Sequence, residues 1–93
     1  MTPINDTHVK DPDASLPYEW DWAAWLSDGE TITGTVITAD PGITVGAPSQ
    51  AAGIVTVRVS GGTAGATYRV ACRITTSGGN IDERTKKIMV RNR

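Results

Sequence analysis

Hydrophobic and polar positions alternate with a period of two over most of the C-terminal two thirds of the chain. In "GIVTVRVSGG" Val55, Val57 and Val59 point one way, while Thr56 and Arg58 point the other. "ATYRVACRITTSGG" repeats the pattern, with Tyr68, Val70, Cys72 and Ile74 facing inward and Arg69, Ala71, Arg73 and Thr75 outward. "ERTKKIMVRNR" closes the chain with Ile88 and Val90 on one face. Upstream, "ETITGTVITAD" is a β-branched run that ends at Asp40-Pro41-Gly42, a turn sequence. The Gly61-Gly62 and Gly78-Gly79 pairs mark further turns, and "GAPSQAAG" (46–53) reads as a loop of small and polar residues. Leu, a strong helix former, occurs only at Leu16 and Leu26. The pattern predicts an all-β sandwich of about six to seven short strands. The small-residue corner "GTAGATYRV" adds an immunoglobulin-like cue, because a tyrosine at such a corner can hydrogen-bond to upstream backbone.

The aromatic residues follow a different rhythm. Tyr18, Trp20 and Trp22 are spaced by two, as on one strand face. Trp22, Trp25 and Leu26 are spaced i, i+3, i+4, as on a helical turn. This predicts an extended segment leading into one turn, capped by Asp21 and closed at Ser27-Asp28-Gly29. Trp22, Trp25 and Leu26 are then expected in the core with Val57, Tyr68, Val70, Cys72 and Ile74. Tyr18 and Trp20, beside the proline-containing N-terminal stretch, are the expected interface residues. Residues 1–17 hold Pro3, Pro12 and Pro17 and few apolar side chains. They read as an extended acidic arm that orders only against a neighbour. Residues 18–93 then form the β domain.

Ninety-three residues make one domain. The net charge is −1, which argues against nucleic acid as the main partner. Its distribution is uneven: residues 1–30 carry seven acids against Lys10, and residues 31–93 carry eight bases against three acids. Such polarity suits copies that dock head to tail, or an arm bearing Asp6, Asp11 and Asp13 on a basic surface formed by Arg84, Lys86 and Lys87. Neutralisation within one monomer is the plainer alternative. A single cysteine excludes an intrachain disulfide, and no segment is apolar enough for a membrane-spanning helix or a secretion signal. The chain is expected to be made in a reducing compartment, with no membrane partner.

The residues offer little for catalysis or cofactor binding. His8 is the lone histidine and has no serine or cysteine nucleophile near it in sequence. One Cys and one His cannot form the usual zinc cage. Asp11 and Asp13 flank Pro12 without the further acids of a calcium loop, and an Asx turn explains them better. "GGTAGA" lacks the lysine of a phosphate-binding loop. Glu19 and Asp21 share a strand face with no implied pocket. No catalytic residue, cofactor or metal is expected.

Two longer stretches, "KDPDASLPYEWDWAAWLSDGETI" and "GTAGATYRVACRITTSGGNIDERTKKIMVR", resemble small virion proteins of tailed bacteriophages, of the fibre–tail adaptor or immunoglobulin-like structural type. The resemblance is carried by Lys10-Asp11-Pro12-Asp13, Asp21-Trp22, Trp25-Leu26, Gly29, Thr31-Ile32, the Gly65–Val70 corner and Ile74-Thr75-Thr76. It implies a non-enzymatic assembly protein in several copies per particle, made in the bacterial host cytoplasm and bound to tail, neck, fibre or capsid proteins. Two other readings stay open. One is a capsid decoration (cement) protein bridging capsomers. The other is a carbohydrate-binding module with Trp20 and Tyr18 as stacking platforms.

Overall fold

The structure, a computed structural model, describes residues 6–92. Among them there are eight strands and no helix: β1 (Asp6–Lys10), β2 (Leu16–Asp21), β3 (Ile32–Ala39), β4 (Ile43–Val45), β5 (Ser49–Ala51), β6 (Ile54–Gly61), β7 (Thr67–Thr76) and β8 (Ile81–Val90). They form two sheets. The first runs β1-β8-β7-β3. The second runs β2-β6-β4, with β5 also paired to β6. All pairings are antiparallel except β1 on β8.

The core forms where the alternating faces meet. β6 contributes Val55, Val57 and Val59, β7 contributes Tyr68, Val70, Cys72 and Ile74, and β8 contributes Ile88 and Val90. Burying each of these aliphatic side chains stabilises the fold by about 1.5–3 kcal/mol relative to exposure. The two sheets thus close on each other as a sandwich. The Tyr68 hydroxyl accepts a hydrogen bond from the Thr63 N–H at 2.9 Å, so this tyrosine fastens upstream backbone at the expected corner. Gly62 beside it has φ +93°, and a Cβ there would lie 2.7 Å from Val90 Cγ2.

Two strands lie in stretches expected to be loop or arm. β5 forms within the 46–53 stretch and joins β6 through Ala52-Gly53, both at positive φ (54° and 82°), a tight turn suited to the twist of a hairpin. β1 occupies part of the expected arm. Asp6–Lys10 pair in register with Lys86–Val90, and the expected boundary after residue 17 falls within β2. Ordering comes from the backbone ladder and from Lys10, which is 1% exposed. Its Nζ donates to the Asp11 and Gly61 carbonyls, each at 2.7 Å, tying the end of β1 to the end of β6. The connecting loop takes the expected Asx turn, with the Asp13 N–H on Asp11 Oδ2 at 2.9 Å. Arg58 Nη1 holds the Ser15 carbonyl at 2.9 Å.

Candidate docking surface

At the end of β2 the chain leaves the sheet at Trp22. The Trp22 N–H donates to the Gly53 carbonyl at 2.9 Å. The Trp22 carbonyl accepts from Trp25 N (2.9 Å) and Leu26 N (3.0 Å), which makes the single turn that the i, i+3, i+4 spacing predicts. Asp21 caps it, its Oδ1 accepting from the Ala23 N–H at 2.8 Å. Gly53 approaches so closely that a Cβ there would stand 3.0 Å from Ala23 Cα and Leu26 Cδ1.

The Trp22 ring is fully buried and pinned from the opposite sheet. Its Nε1 donates to Asp82 Oδ2 at 2.9 Å, and the Arg84 guanidinium lies 4.9 Å from the ring centroid. Arg84 also pairs with Asp82 Oδ2 (Nε at 3.3 Å) and donates through Nη1 to the Asp21 carbonyl at 2.8 Å. One arginine on β8 therefore links both sheets. Partial desolvation raises the Asp82 carboxyl, but hydrogen bonds from Trp22, the Glu83 backbone and Arg84, with the Arg84 charge, outweigh it and hold the group below its ordinary value.

The far end of the turn is held by Glu30. Its carboxylate accepts from the Thr76 hydroxyl, from Asn80 Nδ2 (2.8 Å) and from the Ser27 N–H (3.0 Å). The Thr76 bond leads in lowering its pKa, followed by the Ser27 backbone and Asn80. Gly29 supplies the positive φ, +78°, that lets Glu30 N return to the Ser27 carbonyl at 3.0 Å. A turn fixed at both ends thus carries one large unburied side chain, Trp25, 42% exposed. Beside it a groove of about 510 Å³ is lined by Ala23, Leu26, Ile32, Gln50 and Gly53, among others.

Several expected positions are corrected by this geometry. Trp25, expected in the core, faces solvent, and Leu26 is only half-buried against the core. Tyr18 and Trp20, expected at an interface, are buried, so neither offers a free ring face to a sugar or a partner. The reason is periodicity: Tyr18, Trp20 and Trp22 share one strand face, and burying Trp22 buries all three. The supposed basic surface is divided. Lys86 points inward in phase with Ile88 and Val90, its Nζ 5.1 Å from the Trp20 centroid and 3.4 Å from His8 Nε2. Arg84 is engaged with Trp22 and Asp82, and of the three bases only Lys87 is exposed. Asp6 begins β1 opposite Lys86, Asp11 is half-buried in the Asx turn, and Asp13 is exposed. Trp22, Val57, Tyr68, Val70, Cys72 and Ile74 lie in the core. Desolvation, with a smaller contribution from the Glu83 charge, pushes the Cys72 thiol up to about 12.

A second groove runs between β1 and β2, lined by His8, Val9, Leu16, Pro17, Tyr18, Glu19 and Lys86. The His8 and Tyr18 rings meet edge to face there, centroids 5.0 Å apart. Among the described residues no group of three or more His, Cys, Asp or Glu is placed to hold a metal ion.

Residues 10–89 match the family model described as podophage GP4 fiber-tail adaptor protein gp77, and the chain belongs to that family. A comparison with curated proteins returned no match.

Proposed function

We propose, taking membership of the fiber-tail adaptor family as the premise, that this chain is a non-enzymatic joint between tail and fibre subunits of a phage virion, present in several copies. The observation that carries the reading is Trp25. Tryptophan is enriched at binding hot spots, and a rigidly held one loses little entropy on docking. Trp25 stands 42% exposed on a turn fastened to β6 through Gly53 and to the 76–80 hairpin through Glu30. A partner that covers this ring binds a surface that needs no rearrangement.

Charge supports docking with a defined polarity. Glu19, Asp21 and Asp28 are exposed on β2 and the aromatic turn, whereas Arg69, Arg73 and Lys87 are exposed on the outer face of the first sheet. Opposite potentials on opposite sides steer encounter and fix orientation more than they add affinity. The test is Trp25→Ala, assayed by fibre content of virions and by thermal melting of the purified protein. The expected result is loss of fibres with an unchanged melting midpoint. Full fibre occupancy with a folded variant overturns the reading.

A further inference from the structure

The outer sheet edges differ in how much backbone hydrogen-bonding capacity they leave open. On β2, the Trp22–Gly53 bond sets the phase of the ladder, so Pro17, Glu19 and Asp21 face away from β6. That edge lacks the Pro17 donor and is flanked by two carboxylates, the usual guards against strand addition. β1 is five residues long, Asp6–Lys10. β4 and β5 have three residues each.

β3 has none of these guards along its second half. "ITGTVITA" contains no charge and no proline. Asp40 N donates to the Arg69 carbonyl at 3.0 Å, which places Thr38 and Val36 in the pairs bonded to β7. The N–H and C=O groups of Thr35, Ile37 and Ala39 therefore point to the open edge. The strand's first half is closed: its register shifts between Ile32 and Gly34, and Gln50 Nε2 donates to the Ile32 carbonyl at 3.2 Å. Val36, on the outer face, is 59% exposed, and Ile37 is only half-buried at the sandwich's open flank.

We infer that β3 pairs antiparallel with β3 of a second copy about a two-fold axis at Ile37, joining the first sheets of the two copies into one. This rests on the reading of the chain as a multi-copy adaptor and names the surface through which copies meet. The open groups lie at every second position centred on Ile37. A two-fold axis there sets Thr35 against Ala39 of the second copy and Ile37 against its counterpart, closing about six hydrogen bonds. Val36 lies opposite Thr38 of the second copy on the outer face, a β-branched pair with no charge to repel. The nearest like charges on that face, the two Arg73 side chains, stand three strand spacings apart, about 14 Å, beyond the ~8 Å screening length. The pairing also covers Val36 and the open flank of Ile37.

The test is sedimentation of the purified full-length chain alone, with three variants. Thr35→Pro deletes an edge donor twice in the symmetric pair without touching the β7 ladder, and the expected result is roughly 30-fold weaker association at an unchanged melt. Val36→Lys, at an exposed site, is expected to give monomer even should the proline variant misfold. Val36→Cys/Thr38→Cys is expected to cross-link between copies, since such non-hydrogen-bonded pairs lie about 4.5 Å apart at Cα. A wild-type chain that stays monomeric at millimolar concentration, or a dimer indifferent to Val36→Lys, overturns the inference. Monomers in solution whose Val36→Lys variant loses its place in virions would assign the edge to another protein instead, which also overturns it. Because the assay contains no other virion protein, its failure leaves the Trp25 test of the adaptor reading standing.

Discussion

Trp20 and Trp22 permit a controlled comparison of what one indole N–H contributes. Both rings are buried, at 3% and 0% exposure, and each lies beneath a cation, Lys86 over Trp20 and Arg84 over Trp22. They differ in the nitrogen. Trp22 Nε1 donates to Asp82 Oδ2 at 2.9 Å, whereas Trp20 Nε1 is buried with no hydrogen-bond partner among the described residues. Replacing either residue with phenylalanine shrinks the ring similarly. At Trp22 the change also removes a hydrogen bond to a charged acceptor, worth about 1.5–3 kcal/mol, while at Trp20 it relieves an unpaired donor that costs about 1–3 kcal/mol. Trp22→Phe should therefore be the more destabilising by at least about 2 kcal/mol, or roughly 8–16 °C in melting midpoint for a domain of this size. Urea and thermal denaturation of the two purified variants supply the values. Equal destabilisation would refute the reasoning, because it would mean that the Trp22–Asp82 bond has no net effect.

Acid should unfold the protein through Glu30 and Asp82. Both have folded pKa values below their ordinary 4.5 and 3.8, so their stabilisation is fully present above those values and is lost as pH falls through the folded ones. Melts from pH 7 to 2 should decline below about pH 4.5, and Glu30→Gln should flatten that decline; an unchanged profile would show that Glu30 is not tied to Thr76 and Asn80. Cys72, with its thiol at about 12, should resist a thiol reagent at pH 8 until denaturant is added, and rapid labelling of the native protein would contradict its inward position. Deleting residues 1–13 removes β1 and Lys10 and should lower the melting midpoint by about 8 °C or more, whereas a midpoint equal to wild type would show that β1 does not contribute to the sandwich.

Much of the sandwich is legible in the sequence because period-two alternation is strong where both chemistry and burial alternate. β6, β7 and β8 follow their valine, tyrosine, cysteine and isoleucine positions residue by residue. The turn at Asp40-Pro41-Gly42 is equally plain, with Gly42 at φ 101°. β1 is not legible, because it is held by backbone pairing and by Lys10, whose burial depends on carbonyls 1 and 51 positions away. β5 is three weak strand formers held by β6. Of the docking surface, the turn and its Asp21 cap are readable, but not the side to which Trp25 points. A single turn presents several faces, and only the placement of Gly53 against Ala23 and Leu26 decides which one packs. The inward positions of Lys86, Tyr18 and Trp20 are readable from alternation alone, in phase with Ile88 and Val90 and with Trp22, although the clustered bases and the neighbouring proline-containing stretch point instead to an interface.

The most direct test of the adaptor account is a side-chain-resolution reconstruction of the virion that carries this chain. The expected result is the β1–β8 sandwich seated at the junction of tail and fibre, with Trp25 buried in a pocket of a neighbouring subunit and Tyr18 and Trp20 inside the protomer. Finding the sandwich on the capsid surface, or at the tail with Trp25 facing solvent, would contradict it.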